Sequence, residues 1–431
     1  MARAPAPWYI PSVPSGGFRH RLLALLVVTG ASVLASFAIA DGLDPEAPRT
    51  IVIGDPLGPA PRDRVDPRRL GRAHTALPKA PEVLWRRDLA GSIDLPPVID
   101  PKGGVIVALA SPEVVRLDAE GKQAWRLRLG ASRPVVPPAI AAGGSAVVVA
   151  SDGSFWSVSL GGAVRFSTDL ALATNKAAAS PLPRADGSVV VAGNSGLVIV
   201  DAQGRIDARC ELSDRPIGGL IPTSRGLVVP TFEGRVYRWQ PPGKPVLVGD
   251  FGGRLDGGGS LASDKSLVAV VDGSRVVALD LVTASLTTLL GESVPLAPYE
   301  PTVVLTPGGL LLATTVIGEL FAVDARATLV QRGALEPLPT MFTADAGAAV
   351  GAMLRTNTMH AGPPMVVDPG GRVAFARNSG RVGLVEPDGS ILVAQARQCA
   401  RPIALLPAGV GRMVVACRSG AVALFGDGKQ P

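Results

Sequence analysis

The chain has 431 residues, 47% of them hydrophobic and only 4% aromatic, with a net charge of +6. So small a charge excess, with no aromatic residues interleaved among the basic ones, excludes a single-strand nucleic-acid binder. Three histidines and three cysteines exclude a zinc cluster and any CxxC redox pair.

The first element in chain order is the apolar run Leu22–Ala40, preceded by Arg19, His20 and Arg21 and ending in Ala38-Ile39-Ala40. A basic flank, an apolar stretch and an A-x-A site predict a secretory signal cleaved before Asp41. The run also reaches the ~20 residues that cross a ~30 Å hydrocarbon core. A retained N-terminal apolar helix, anchored with its arginines in the cytoplasm, is the other reading. Both place the rest of the chain across the inner membrane, in the periplasm or cell envelope. No cysteine follows the run to carry a lipid. Residues 41–80 are rich in Pro, Arg and Asp without periodic apolar positions, which predicts a partly extended linker.

From residue 81 to the C-terminus a unit of about forty residues recurs. Its clearest copy has four apolar segments: Pro97-Val98-Ile99, Gly104–Leu109, Val114–Asp118 and Gly121–Leu127. Turn residues recur between the second and third segments, as Asp152-Gly153, Asn194-Ser195-Gly196, Glu233-Gly234, Asp272-Gly273, Ile317-Gly318, Asn378-Ser379-Gly380 and Arg418-Ser419-Gly420. Glycine supplies the positive φ that tight hairpins need, and Asn or Asp tolerates it next best. Proline opens the first segment at Pro97, Pro138, Pro181, Pro301, Pro364 and Pro402, where no ladder hydrogen bond has to be donated. This pattern predicts an all-β fold, an eight-bladed β-propeller of four-stranded antiparallel blades over 81–431. Val83–Leu89 has no blade before it, and Ala421–Phe425 has no outer strand after it. The N-terminal strand is therefore expected to complete the last blade and close the ring.

One spacing departs from the rest. Residues Pro337 to Pro363 are extra, and Met341, Phe342, Arg355, Asn357 and His360 mark them as a candidate interaction loop. Cys399 and Cys417 fall at adjacent strand ends if Arg401–Leu406 and Met413–Cys417 pair as a hairpin. An exported protein permits a disulfide there, and two buried free thiols are the alternative. Cys210 would fill space in a strand.

Catalytic constellations are absent from the sequence. His360 is the one histidine in the repeats, and neither G-x-S-x-G nor a P-loop occurs. No metal ligand set is picked out by spacing. One pattern suggests binding. The loops that lead from an outer strand to the next blade carry Arg133, Lys176, Arg215, Arg254 and Arg401. A basic ring at one channel mouth would suit a carboxylate, a phosphate or an acidic peptide. Like charges ~10 Å apart in water repel by only about 0.4 kcal/mol, so such a ring also persists unliganded.

The repeat as a whole, with its inner proline, Val-Val-Ala strand and Asp-Ala-x-Gly turn, resembles the pyrroloquinoline quinone (PQQ)-like propeller repeat. Ser154-Phe155-Trp156-Ser157-Val158, Gly196–Gly204 and Val115–Trp125 carry the likeness. That superfamily includes quinoprotein dehydrogenases and the BamB-type outer-membrane assembly propellers. The resemblance implies the fold without the enzyme. Adjacent cysteines are lacking, and the catalytic Asp and calcium ligands of the dehydrogenases match no motif here. The expectation is a non-catalytic scaffold that binds a protein or an anionic ligand and needs no cofactor. A PQQ- and calcium-dependent oxidoreductase is the alternative.

Overall fold

In the computed structural model the described residues are 60–291, 304–334 and 363–428, apart from short breaks within them. The chain divides into two compact units, Met1–Glu46 and Ala47–Pro431, and everything described below belongs to the second. The expected apolar helix at 22–40 and the residues 337–362 of the expected loop lie outside the described residues.

The described chain is built from four-stranded antiparallel sheets. Blade 1 shows the plan: Val98–Ile99, Val105–Ala108, Glu113–Leu117 and Gln123–Arg128 pair in order from inside to outside. The same order recurs in blade 2 (139–169), blade 3 (182–211), blade 4 (221–250), blade 5 (260–290), blade 6 (304–334) and blade 7 (366–394). Pro97, Pro138 and Pro181 each stand immediately before a first strand, and Pro402 begins one.

Two sheets remain: a two-stranded parallel pair, Ala178–Ser180 with Ile217–Gly219, and a composite four-stranded sheet. Pro81–Asp88 pairs antiparallel with Ala421–Asp427, which continues to Arg412–Cys417 and Pro402–Pro407. The expected eight blades are thus corrected to seven blades of consecutive strands, with a closing sheet that the N-terminal strand completes as expected. The reason lies in connectivity: the last three strands have no fourth strand after them and take the chain's first strand instead.

Buried clusters join each sheet to the next. Val98 and Ile106 of blade 1 pack with Ile140 and Val148 of blade 2. Blades 2 and 3 meet through Phe155 and Val191, blades 3 and 4 through Leu197 and Trp239, and blades 4 and 5 through Val236 and Leu267. Val268 and Leu311 join blades 5 and 6, and Val304 and Val373 join blades 6 and 7. A final cluster holds Val366 of blade 7, Val415 of the closing sheet and Val107 of blade 1 together. Among the described residues packing therefore runs full circle, from each sheet to the next. The described inner strands are mostly buried, as in Val105–Ala108, while outer strands such as Gln123–Arg128 are more exposed.

Aromatic residues on three outer strands, Trp85, Trp125 and Phe166, dock their sheets to the next one. Trp85 of the closing sheet lies over Gly121 of blade 1, where a Cβ would sit 2.6 Å from the indole. Its Nε1 donates to the Ala119 carbonyl at 2.9 Å. Trp125 repeats the contact on blade 2, over Gly162 (φ +91°), with Nε1 donating to Leu160 O at 2.9 Å. The indole buries its apolar body while its N–H finds a carbonyl, as a half-buried Trp requires.

The segment before residue 81, expected as a linker, is bound within the ring. Ile99 N donates to Ala60 O, and Arg62 Nη2 donates to Leu220 O at 3.2 Å. Arg69 reaches Gly259 O through Nε and Gly257 O through Nη2, both at 3.3 Å, and its own carbonyl accepts from Ser260 Oγ. Arg72 Nη2 donates to Thr306 O, Leu77 N to Asp368 Oδ2, and Gly411 N to Ala76 O. These partners belong to blades 1, 4, 5, 6 and 7 and the closing sheet. A single segment reaches so many inner strands only by occupying the central channel. Ala60 pairs antiparallel with Ile99 and Arg72 parallel with Val367, so the segment enters and leaves by the same mouth. Arg69 is 0% exposed.

Candidate binding face

Strand alternation gives the ring two faces. The blade-to-blade loops and the turns between second and third strands share one of them, the crossover face. First-to-second and third-to-fourth turns share the other, from which the channel segment enters.

On the crossover face four of the five expected cations occupy one equivalent position. The carbonyls of Arg133, Arg215, Arg254 and Arg401 accept from the amides of Ser151, Phe232, Asp272 and Arg418, each at 2.9 Å. Each donor sits just past the second strand of its sheet. The residues beside them, Pro134, Pro216, Leu255 and Pro402, pair antiparallel with the end of that second strand, so the arginines stand in line with the innermost strand of each sheet, just before its start. Lys176 is not of this set. The equivalent carbonyl in blade 3 is that of Ala173, which accepts from Asn194 N at 2.7 Å, while Lys176 N donates to Asn194 Oδ1. In blade 1 the position is Ser92, whose carbonyl accepts from Ala110 N. The cations accordingly belong to blades 2, 4 and 5 and the closing sheet. Among the described residues, only blades 4 and 5 place two of them on neighbouring sheets.

Arg215 and Arg254 converge on one ring. Each guanidinium carbon lies 4.3 Å from the centroid of Phe232. Phe232 N donates to Arg215 O, and Leu255 N donates to Phe232 O at 3.1 Å, so the two loops flank the phenylalanine from either side. Sequence reasoning missed Phe232, because only the loop register reveals a ring between two arginines.

The surroundings are firmly held. Asp214, 5% exposed, accepts from Arg235 Nη2 and from Tyr237 Oη at 2.7 Å. Ser213 Oγ shares a 2.8 Å hydrogen bond with Tyr237 Oη. Desolvation, with Asp214 beside it, pushes the Tyr237 phenol above its ordinary value. Asp272 accepts from Arg254 N and from Arg275 Nη2. Asp256, pushed up by burial, lies in the field of Arg254.

Cys399 and Cys417 form a disulfide, Cα to Cα 5.5 Å, across the hairpin of the closing sheet. Closing a loop of this length contributes about 3 kcal/mol in the chain-entropy model. Cys210 is a free thiol, half-buried in Ile206–Glu211 and raised to about 11 by desolvation. A cavity of about 630 Å³ opens between blades 3 and 4 on the opposite face, lined in part by Arg184, Asp186, Ser224 and Gln240 above Trp239. Among the described residues no group of three His, Cys, Asp or Glu side chains is placed to hold a metal ion.

Residues 75–218 match the family model described as outer membrane protein assembly factor BamB. This stretch is a BamB-type, PQQ-like repeat. A comparison with curated proteins finds no match. Among solved structures the chain resembles the computationally designed Ika8 protein at 13% identity and TM-score 0.59, over 79% of this chain and 98% of that one. It resembles the C-terminal WD40 domain of Sif2 at 13% identity and TM-score 0.58, over 82% of this chain and all of that one. BamB from Moraxella catarrhalis aligns at 15% identity and TM-score 0.41, over 83% and 92%. At these identities the likenesses to Ika8 and Sif2 concern the propeller fold alone.

Proposed function

We propose that the chain is an exported, non-catalytic propeller that serves as a binding scaffold in the cell envelope, presenting its crossover face to a protein partner. The observation that carries this reading is the filled channel. The axis of a propeller is a natural pocket, and here the chain's own residues 60–77 occupy it with Arg69 fully buried. Recognition is then left to the rims. The crossover face offers arginines with no ion pair among the described residues. The BamB-type match over 75–218 supports a scaffold. The Cys399–Cys417 disulfide suits an oxidising compartment such as the periplasm. Among the described residues no helix is long and apolar enough to cross a membrane, so the membrane contact assigned here rests on Leu22–Ala40, as a cleaved signal or a retained anchor. The loop Pro337–Pro363, with Met341, Phe342, Arg355, Asn357 and His360, is a second surface for the partner.

The residues present do not fit PQQ with its calcium. The disulfide joins cysteines 18 apart rather than neighbours, and the channel is taken by backbone and arginine. Two assays test the proposal. Capture from envelope extract is compared between the native chain and a variant with Arg133, Arg215, Arg254 and Arg401 all changed to Glu; a specific partner lost from the variant is the expected result. Dye reduction by alcohols or sugars after addition of quinone and calcium would overturn the scaffold reading.

A further inference from the structure

The two arginines that share Phe232 differ from the other cations of the crossover face. A cation–π contact holds a guanidinium over a ring without using its N–H groups as hydrogen-bond donors. Among the described residues neither side chain donates to a protein acceptor. Both groups are thus held in position by the ring while their hydrogen-bonding edges stay open. That is the arrangement from which a carboxylate can be bound bidentately with little further ordering.

Geometry narrows the ligand. The two guanidinium carbons are each 4.3 Å from one centroid, so they cannot be further apart than twice that distance. Alternate side chains of an extended peptide project from one side at a spacing of about 6.6 Å. Carboxylates at positions i and i+2 of an extended segment therefore reach one guanidinium each, with the intervening residue over the edge of Phe232. A single phosphate would engage one arginine well and the other poorly. We infer that the Arg215–Phe232–Arg254 stack is a docking site for an extended acidic segment of a partner protein, with carboxylates at alternate positions. The inference rests on the scaffold reading above and specifies the chemistry of its partner.

The test uses the purified chain and a fluorescent peptide of alternating Glu and Thr, followed by polarisation at low and at physiological salt. Arg215→Gln and Arg254→Gln should each weaken binding at least tenfold, the factor expected for one charge-assisted contact. Phe232→Leu keeps apolar bulk but removes the ring face, and should weaken it by a smaller factor through lost positioning of both arginines. Arg165→Gln, on the exposed outer strand Val164–Asp169 of blade 2, should leave binding unchanged. Near-ultraviolet circular dichroism of each variant confirms that the fold is intact. Equal binding by the native chain and the Arg215→Gln/Arg254→Gln double variant overturns the assignment. So does a peptide with Glu residues adjacent rather than alternate that binds as tightly, or inorganic phosphate or anionic phosphatidylglycerol vesicles that displace the peptide at matched charge. If envelope capture survives loss of these two arginines but fails on reversal of Arg133 and Arg401, the scaffold reading stands and this site falls.

Discussion

Asp100 sits in the turn between the first two strands of blade 1 and is 0% exposed. Its Oδ1 accepts from Lys102 N at 2.8 Å and Gly104 N at 3.0 Å, and its Oδ2 accepts from Arg116 Nε at 2.7 Å. Arg116 is itself buried in the third strand. A Cβ on Gly104 would lie 2.6 Å from Asp100 Oδ2 and 2.7 Å from the Arg116 guanidinium, which explains the glycine. Asp100→Ala removes the counter-charge together with the one oxygen that accepts from both turn amides. Breaking a buried pair from one side costs about 3–5 kcal/mol, because the remaining charge stays buried without its partner. Total stability is of order 5–15 kcal/mol, so the loss is a large share of the margin. Equilibrium urea unfolding followed by tryptophan fluorescence reads it directly. Asp100→Asn keeps one oxygen for the turn amides and should fall between. Asp100→Leu with Arg116→Met removes both charges and should recover most of the loss. A cost below about 1 kcal/mol for Asp100→Ala, the value of an exposed pair, would refute the reasoning.

The docking of Trp125 on blade 2 predicts that Gly162→Ala destabilises by about 1–3 kcal/mol, through a positive φ and an indole in the way; Gly130→Ala (φ +64° but open space) isolates the strain alone, and equal losses would count against the stacking. Cys210, raised to about 11 by desolvation, should alkylate slowly at pH 8 and faster up to about pH 11, whereas a plateau near pH 8.5 would mean an exposed thiol. The sign of the linked stability follows. The folded state holds the proton more tightly, so this contribution is complete below the ordinary thiol pKa and is lost as pH rises towards 11. Thiol titration of the denatured, non-reduced protein should count one cysteine and the reduced protein three, and three without reductant would remove the Cys399–Cys417 bond.

Much of the ring was legible because its signals are local. Alternating β-branched strands, prolines at Pro97, Pro138 and Pro181, and turns such as Asp118-Ala119-Glu120-Gly121 each act within a few residues. Asp118, for example, accepts from the amides of Glu120 and Lys122 through its own Oδ1. The closing strand was also legible, since Pro81–Asp88 lacked a blade of its own. The channel segment was not. Its burial depends on arginines meeting carbonyls of strands up to about 230 residues further on, such as Arg72 with Thr306, and no periodicity records that. Lys176 lies in its expected loop, but that loop is longer than its neighbours, which puts Ala173 at the position the arginines hold elsewhere. Phe232 carried no signal by itself and gained meaning only when two loops closed on it.

The chain's own segment fills the channel of a closed ring. Hydrogen exchange resolved to single amides tests this directly. Ala73 N donates to Val367 O and Leu77 N to Asp368 Oδ2, so both should exchange as slowly as the inner-strand amides of Val366–Val367. Exchange of those two amides at free-peptide rates, while the strands stay protected, would show an empty channel and contradict the account.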